Sequence, residues 1–146
     1  MSNYRRVNLD GLSVTETRVA GAALLPGTFA VINASDKFVQ ATEIVGRIYV
    51  INPAFSQGLG IRDAVPVNDS AVGEYVEEHR ELAILVPAGT YKKDDPIKVA
   101  ATGMGAKATS DTDSVIGYCQ DDVTVAATQT DFIRVRMRVG TVAAGA

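Results

Sequence analysis

Few residues in this chain have types and spacing that could do chemistry. His79 is the only histidine and Cys119 the only cysteine. A hydrolytic triad would need the fold to bring partners to one of them, because no motif in the sequence marks such partners. His79 lies in the run Glu77-Glu78-His79-Arg80 and reads as a surface side chain. Cys119 follows Tyr118 in a β-type run and has no cationic neighbour in sequence to lower its pKa, so it reads as a small buried hydrophobe. One His and one Cys cannot build a structural zinc site. Asp111, Asp113, Asp121 and Asp122 offer oxygens, but the Gly and distal Glu of a calcium loop are missing. Gly58-Leu59-Gly60 starts like a dinucleotide fingerprint, yet Asp63 stands where the third Gly belongs. Gly103-Met104-Gly105-Ala106-Lys107 lacks phosphate-loop spacing. The sequence thus assigns no catalytic, cofactor-binding or metal-binding residue, and the chain is expected not to be an enzyme.

The most informative constellation is a row of arginines. In Phe132-Ile133-Arg134-Val135-Arg136-Met137-Arg138-Val139 the apolar and basic residues alternate strictly. A strand places Ile133, Val135, Met137 and Val139 on one face and Arg134, Arg136 and Arg138 on the other. Three like charges at that spacing repel unless water or carboxylates screen them. Either the row is a solvated outer face, or it meets carboxylates across an interface through bidentate guanidinium geometry. Candidate interface residues are Arg134, Arg136 and Arg138, joined by Tyr4, Arg5 and Arg6 near the N-terminus.

The elements that must position these residues are short strands. Thr28–Ile32 and Lys37–Ala41 flank an Asn33–Asp36 turn in a hairpin pattern. Arg47–Ile51, Leu82–Val86, Pro96–Ala100, Val115–Cys119 and Phe132–Val139 follow, separated by Pro and Gly turns. Phe55 to Gly73 reads as a long irregular segment, and helix is conceivable only over Asp69–His79. Residues 1–23 show no period and read as an extended N-terminal arm that orders against a neighbour. Residues 24–139 form a β-rich domain, and 140–146 a small-residue tail. The expected fold is all-β and mainly antiparallel, a small β-sandwich or β-barrel.

Composition bounds the function further. The 146 residues are 47% hydrophobic but only 6% aromatic, with no Trp. A single domain of this size builds a core without disulfides, and one cysteine cannot form an internal bridge. The net charge of −3 argues against direct nucleic-acid binding, which needs clustered basic excess. No run approaches the ~18 apolar residues of a membrane helix, and no secretory h-region follows Met1. The chain is expected to be made in a reducing cytoplasm.

The order of motifs resembles the head decoration (cement) proteins of tailed bacteriophages. The resemblance runs from Leu24 to Val139. It rests on Arg47-Ile48-Tyr49-Val50, Gln57-Gly58-Leu59-Gly60-Ile61, Ala64-Val65-Pro66-Val67-Asn68-Asp69 and Val86-Pro87-Ala88-Gly89-Thr90-Tyr91. It continues through Asp95-Pro96-Ile97-Lys98-Val99, Val115-Ile116-Gly117-Tyr118 and Ile133-Arg134-Val135-Arg136-Met137. Asp94-Asp95 departs from the family pattern, which has Gly in that turn. The resemblance implies a β-tulip-like fold and a structural role on the outer capsid surface of the virion. The implied partners are the major capsid protein, whose subunits the protein would cement, and further copies of itself, as a homotrimer in preference to a dimer. Another virion component, such as a fibre-base or tail protein, is the alternative, followed by a ligand-binding or enzymatic barrel.

Overall fold

A computed structural model describes residues 4–11 and 14–142. The strands are β1 (Thr15–Ala20), β2 (Phe29–Ile32), β3 (Lys37–Gln40), β4 (Tyr49–Ile51), β5 (Ser70–Tyr75), β6 (Glu81–Tyr91), β7 (Pro96–Val99), β8 (Gly105–Lys107), β9 (Ser114–Cys119) and β10 (Val123–Thr141). The one helical piece among the described residues is a 3-10 turn at Phe55–Gln57. The expectation of an all-β, mainly antiparallel fold holds.

The first five strands close a barrel in the order β1-β3-β2-β4-β5. With five strands, directions cannot alternate all the way round, so one pair must be parallel. That pair is β1 with β3, in register Val19 to Lys37. Phe38, Tyr49, Ile51, Leu24 and Val65 fill the interior, and the Phe38 and Tyr49 rings meet edge to face at 5.3 Å. Gly73 leaves room for them: a Cβ there would lie 2.8 Å from the Phe38 ring.

The other five strands form a sheet in the order β6-β10-β9-β7-β8. It curls until β8 lies against β6, where a Cβ on Gly105 would sit 2.8 Å from Ile84 Cγ2. Leu82, Ile84, Val86, Ile97, Ile116, Ile133, Val135 and Met137 form its core, which reaches Phe29 and Val50 of the barrel. Gly27 joins the two halves by donating to Ile51 O and accepting from Leu85 N, both at 2.9 Å.

The N-terminal stretch differs from the extended arm expected over 1–23. It contributes β1, which pairs with β5 over Thr15 to Val19. Upstream, Val7 is fully buried in the main core. Val7 O accepts from Ala83 N at 2.9 Å, and Leu9 N donates to Glu81 O at 3.1 Å. These residues cover the free edge of β6, which would otherwise present unpaired backbone groups. A lone apolar residue among polar ones carries no period, which is why the sequence alone suggested an arm. Met1–Asn3 lie outside the described residues.

Other expectations are also corrected. Asp69–His79 is not helical, since Ser70–Tyr75 is a barrel strand, and that strand shortens the irregular segment after Phe55. Val139 is 61% exposed although the alternation placed it inward. The β10–β9 register slips by one residue between Met137 and Gly140, and this bulge leaves both Arg138 and Val139 exposed. Gly140 and Thr141 belong to β10 rather than to a tail, and residues 143–146 lie outside the described ones.

Candidate interaction surface

Strand β10 carries the arginine row on its outer side, as its alternation requires. Ile133, Val135 and Met137 are buried, whereas Arg134 is half-buried and Arg136 and Arg138 are exposed. The cross-strand neighbour of Arg136 is Glu81. Its carboxylate bridges two members of the row, with Oε1 3.2 Å from Arg136 Nη2 and Oε2 3.6 Å from Arg134 Nη1. Pairs as exposed as these contribute about 0–1 kcal/mol. Arg138 enters no ion pair among the described residues.

Arg134 is also committed to the N-terminal segment. Its guanidinium carbon stands 5.9 Å from the centroid of the Tyr4 ring. Tyr4 donates to Asp121 Oδ2 at 2.7 Å, and the Arg134 N–H donates to the same oxygen at 2.9 Å. Burial, reinforced by the hydrogen bond to Asp121, pushes the Tyr4 hydroxyl above its ordinary pKa. Tyr4 and Arg134, both named as candidate interface residues, therefore contact each other within one chain.

Arg136 and Arg138 border an open groove of about 470 Å³ on the outer face of the sheet, lined also by His79, Asp94, Tyr118 and Gln120. Pairing explains this row. Arg136 lies opposite Tyr118, and Asp94 N donates to Cys119 O at 2.8 Å beside Gln120. His79 is placed by its N–H, which donates to Met137 O at 2.7 Å. Its φ of 71° is costly for a residue with a Cβ. Arg5 and Arg6 are exposed and elsewhere. Arg6 rims a second groove with Asn52, Pro53, Phe55, Val65 and Glu74, where Phe55 is 59% exposed.

The remaining candidates have local roles. Cys119 is fully buried, burial raises its thiol pKa, and its sulfur lies 3.2 Å from Asp121 O. Such a thiol is a poor nucleophile. Asp113 accepts from the N–H groups of Thr109 and Ser110, each at 3.1 Å, and lies 3.4 Å from Lys98 Nζ. These donors, the backbone ones first, lower its pKa. Asp122 accepts from Lys93 N, and Asp63 closes its own turn by accepting from Gly60 N at 2.8 Å. No cluster of three or more His, Cys, Asp or Glu side chains able to hold a metal occurs among the described residues.

Sequence reasoning missed one constellation. Arg80, read as part of a surface run, is buried with Glu74 at the junction of barrel and sheet. Arg80 Nη2 contacts Glu74 Oε1 at 2.8 Å and Asp10 Oδ1 at 3.6 Å. Asn52 donates to the other Glu74 oxygen at 2.7 Å, and Arg80 Nη1 donates to Tyr75 O. The available signal was weak: an Arg two residues before the long apolar run Leu82–Val86.

No family model and no curated protein matches the chain. Among solved structures, it is similar to the crystal structure of the head fiber gp8.5 N base in bacteriophage phi29, with a TM-score of 0.57 and 13% sequence identity. The match covers 87% of this chain and 95% of that one, so the likeness is one of fold and extends over nearly the whole of both molecules.

Proposed function

We propose that this chain is a non-enzymatic structural component of a tailed-phage virion, held on the outer surface of the head. The observation that carries this reading is the shared fold with a phage head-fibre base, which extends across both barrel and curled sheet. The motif order from Leu24 to Val139 supports it independently, since it resembles head decoration proteins. Two finer roles fit. In the first, the protein cements neighbouring major capsid subunits and strengthens the DNA-filled head. In the second, favoured by the fold likeness, it is the base of a head-attached appendage. Either role works by multivalent burial, in which each copy contributes a modest interface to the capsid and to its neighbours, as a trimer in preference to a dimer.

Purified particles test the proposal. Quantitative mass spectrometry should find the chain at a fixed stoichiometry to the major capsid protein, on the outside by surface labelling. Absence from particles overturns the proposal. Particles lacking the protein separate the two roles: a cement predicts heads that burst under osmotic shock, whereas an appendage base predicts intact heads without fibres.

A further inference from the structure

The segment that clasps the edge of β6 ends in a reactive dipeptide. Asp10 is followed by Gly11, and no other Asp or Asn in the chain precedes a glycine. At such a step the glycine nitrogen can attack the Asp carboxyl carbon, because no Cβ shields it. An N–Cγ bond forms, one water leaves and a succinimide ring results. Water then reopens the ring. Addition at Cγ restores aspartate. Addition at the other carbonyl gives isoaspartate, in which the backbone runs through Cγ and the α-carboxylate becomes the side group. One water leaves and one returns, so the product has the mass of the starting chain and no other reactant is needed.

In the folded chain both reacting groups are engaged elsewhere. Gly11 N donates to Asn8 Oδ1 at 3.1 Å, and Asp10 N donates to the same oxygen at 3.2 Å. The Asp10 carboxylate is held in the seam with β6: Oδ2 accepts from Glu81 N at 2.9 Å, and Oδ1 lies 3.6 Å from Arg80 Nη2. Ring closure must give up these bonds, and it neutralises a carboxylate that faces a buried guanidinium. Water has access for the second step. Gly11 is exposed, and among the described residues nothing stands within 4 Å of where its Cβ would be. The barrier that the fold adds is therefore the seating of residues 7–10 on β6.

We propose that Asp10–Gly11 is an isomerisation site that stays silent while this clasp is seated and reacts when it lifts. The product cannot reseat as before. Isoaspartate at position 10 lengthens the backbone by one methylene and moves the carboxylate to a different carbon. Leu9 N then cannot bond Glu81 O while the carboxylate bonds Glu81 N, as both do in the intact seam. The site thus converts transient opening of the β6 edge into a lasting covalent change. The inference concerns the clasp and stands apart from the virion reading.

Ageing of the purified full chain at neutral pH tests this, with isoaspartate at position 10 followed by peptide mapping. The chain in denaturant gives the unprotected rate. The folded wild type should react at least about tenfold more slowly, because reaction passes through the opened fraction. Val7→Ala loosens the clasp without touching either reacting group, and Asn8→Ala frees the Gly11 N–H. Each should raise the folded-state rate severalfold, with thermal melts confirming that the variant is folded. Hydrogen exchange at the Leu9 amide reads clasp opening in the same samples, and isomerisation should rise in step with it. Wild type in low, sub-denaturing urea gives the same correlation should a variant fail to fold. Three results would overturn the proposal: a folded wild type that reacts as fast as the denatured chain, folded variants that react no faster than wild type, or isomerisation that does not follow Leu9 exchange.

Discussion

Arg80 and Glu74 form an ion pair 2.8 Å long in which both side chains are only 3% exposed. Glu74 belongs to the barrel and Arg80 leads into the curled sheet, so the pair fastens one half of the molecule to the other. Asp10 adds the N-terminal segment to the same guanidinium. Breaking a buried pair leaves an uncompensated charge, which costs about 3–5 kcal/mol.

Arg80→Met should therefore lower the Tm by on the order of 10 °C. Adding Glu74→Gln should recover part of that loss, because the orphaned carboxylate is then gone. Calorimetry of the single and double variants checks this, and equal melting of wild type and Arg80→Met would show that the pair contributes nothing.

Val7 is fully buried, and its carbonyl accepts from Ala83 N. Val7→Ala should destabilise the folded chain by about 2 kcal/mol. Val7→Asp should cost more, because it buries a charge. Urea unfolding measures both, and an unchanged midpoint would return this segment to the status of a loose arm.

These residues show what could be read in advance. The strands with clear alternation, such as Ile133 to Met137, were legible because burial there follows the two-residue period. The Arg134–Arg138 row was legible for the same reason. Val139 was not, because a one-residue bulge inverts the period without changing the local composition. Val7 and Arg80 escaped for another reason. Each owes its burial to distant strands, and a single residue has no periodicity to reveal that. β5 was hidden by Gly73, which looks like a turn signal and in fact makes room for Phe38 and Tyr49.

Gly27 has a φ of 81°, and a Cβ there would lie 2.6 Å from Phe132 Cε1 and 3.1 Å from Leu85 N. Gly27→Ala should cost about 1–3 kcal/mol from overpacking and roughly 1 kcal/mol more from the strained backbone. Denaturant midpoints should drop accordingly. A variant as stable as the wild type would mean that barrel and sheet can separate here without loss.

The pKa of Asp113 is lowered by the N–H groups of Ser110 and Thr109 and by Lys98. A carboxyl depressed in the folded state contributes stability above its unfolded pKa, ordinarily about 3.9. That contribution disappears as pH falls through the folded value. Asp113→Asn should therefore be less stable than the wild type at pH 7, with the difference shrinking in strong acid. Urea midpoints at pH 7 and below pH 3 give the comparison, and a constant difference would contradict it.

The covering of β6 by residues 7–9 has a mechanical consequence. That segment runs antiparallel to one side of β6, and β10 runs antiparallel to the other. The first and last described stretches of the chain are therefore parallel to each other, with β6 between them. Tension applied between the two termini drags them in opposite directions along β6. It loads the backbone hydrogen bonds together in shear, rather than one at a time as in an unzipping hairpin. The Arg80 and Asp10 contact crosses the same seam and must slide with it. A fold wired in this way resists being drawn out from its ends, and it holds its shape while something anchored at one terminus pulls on the other.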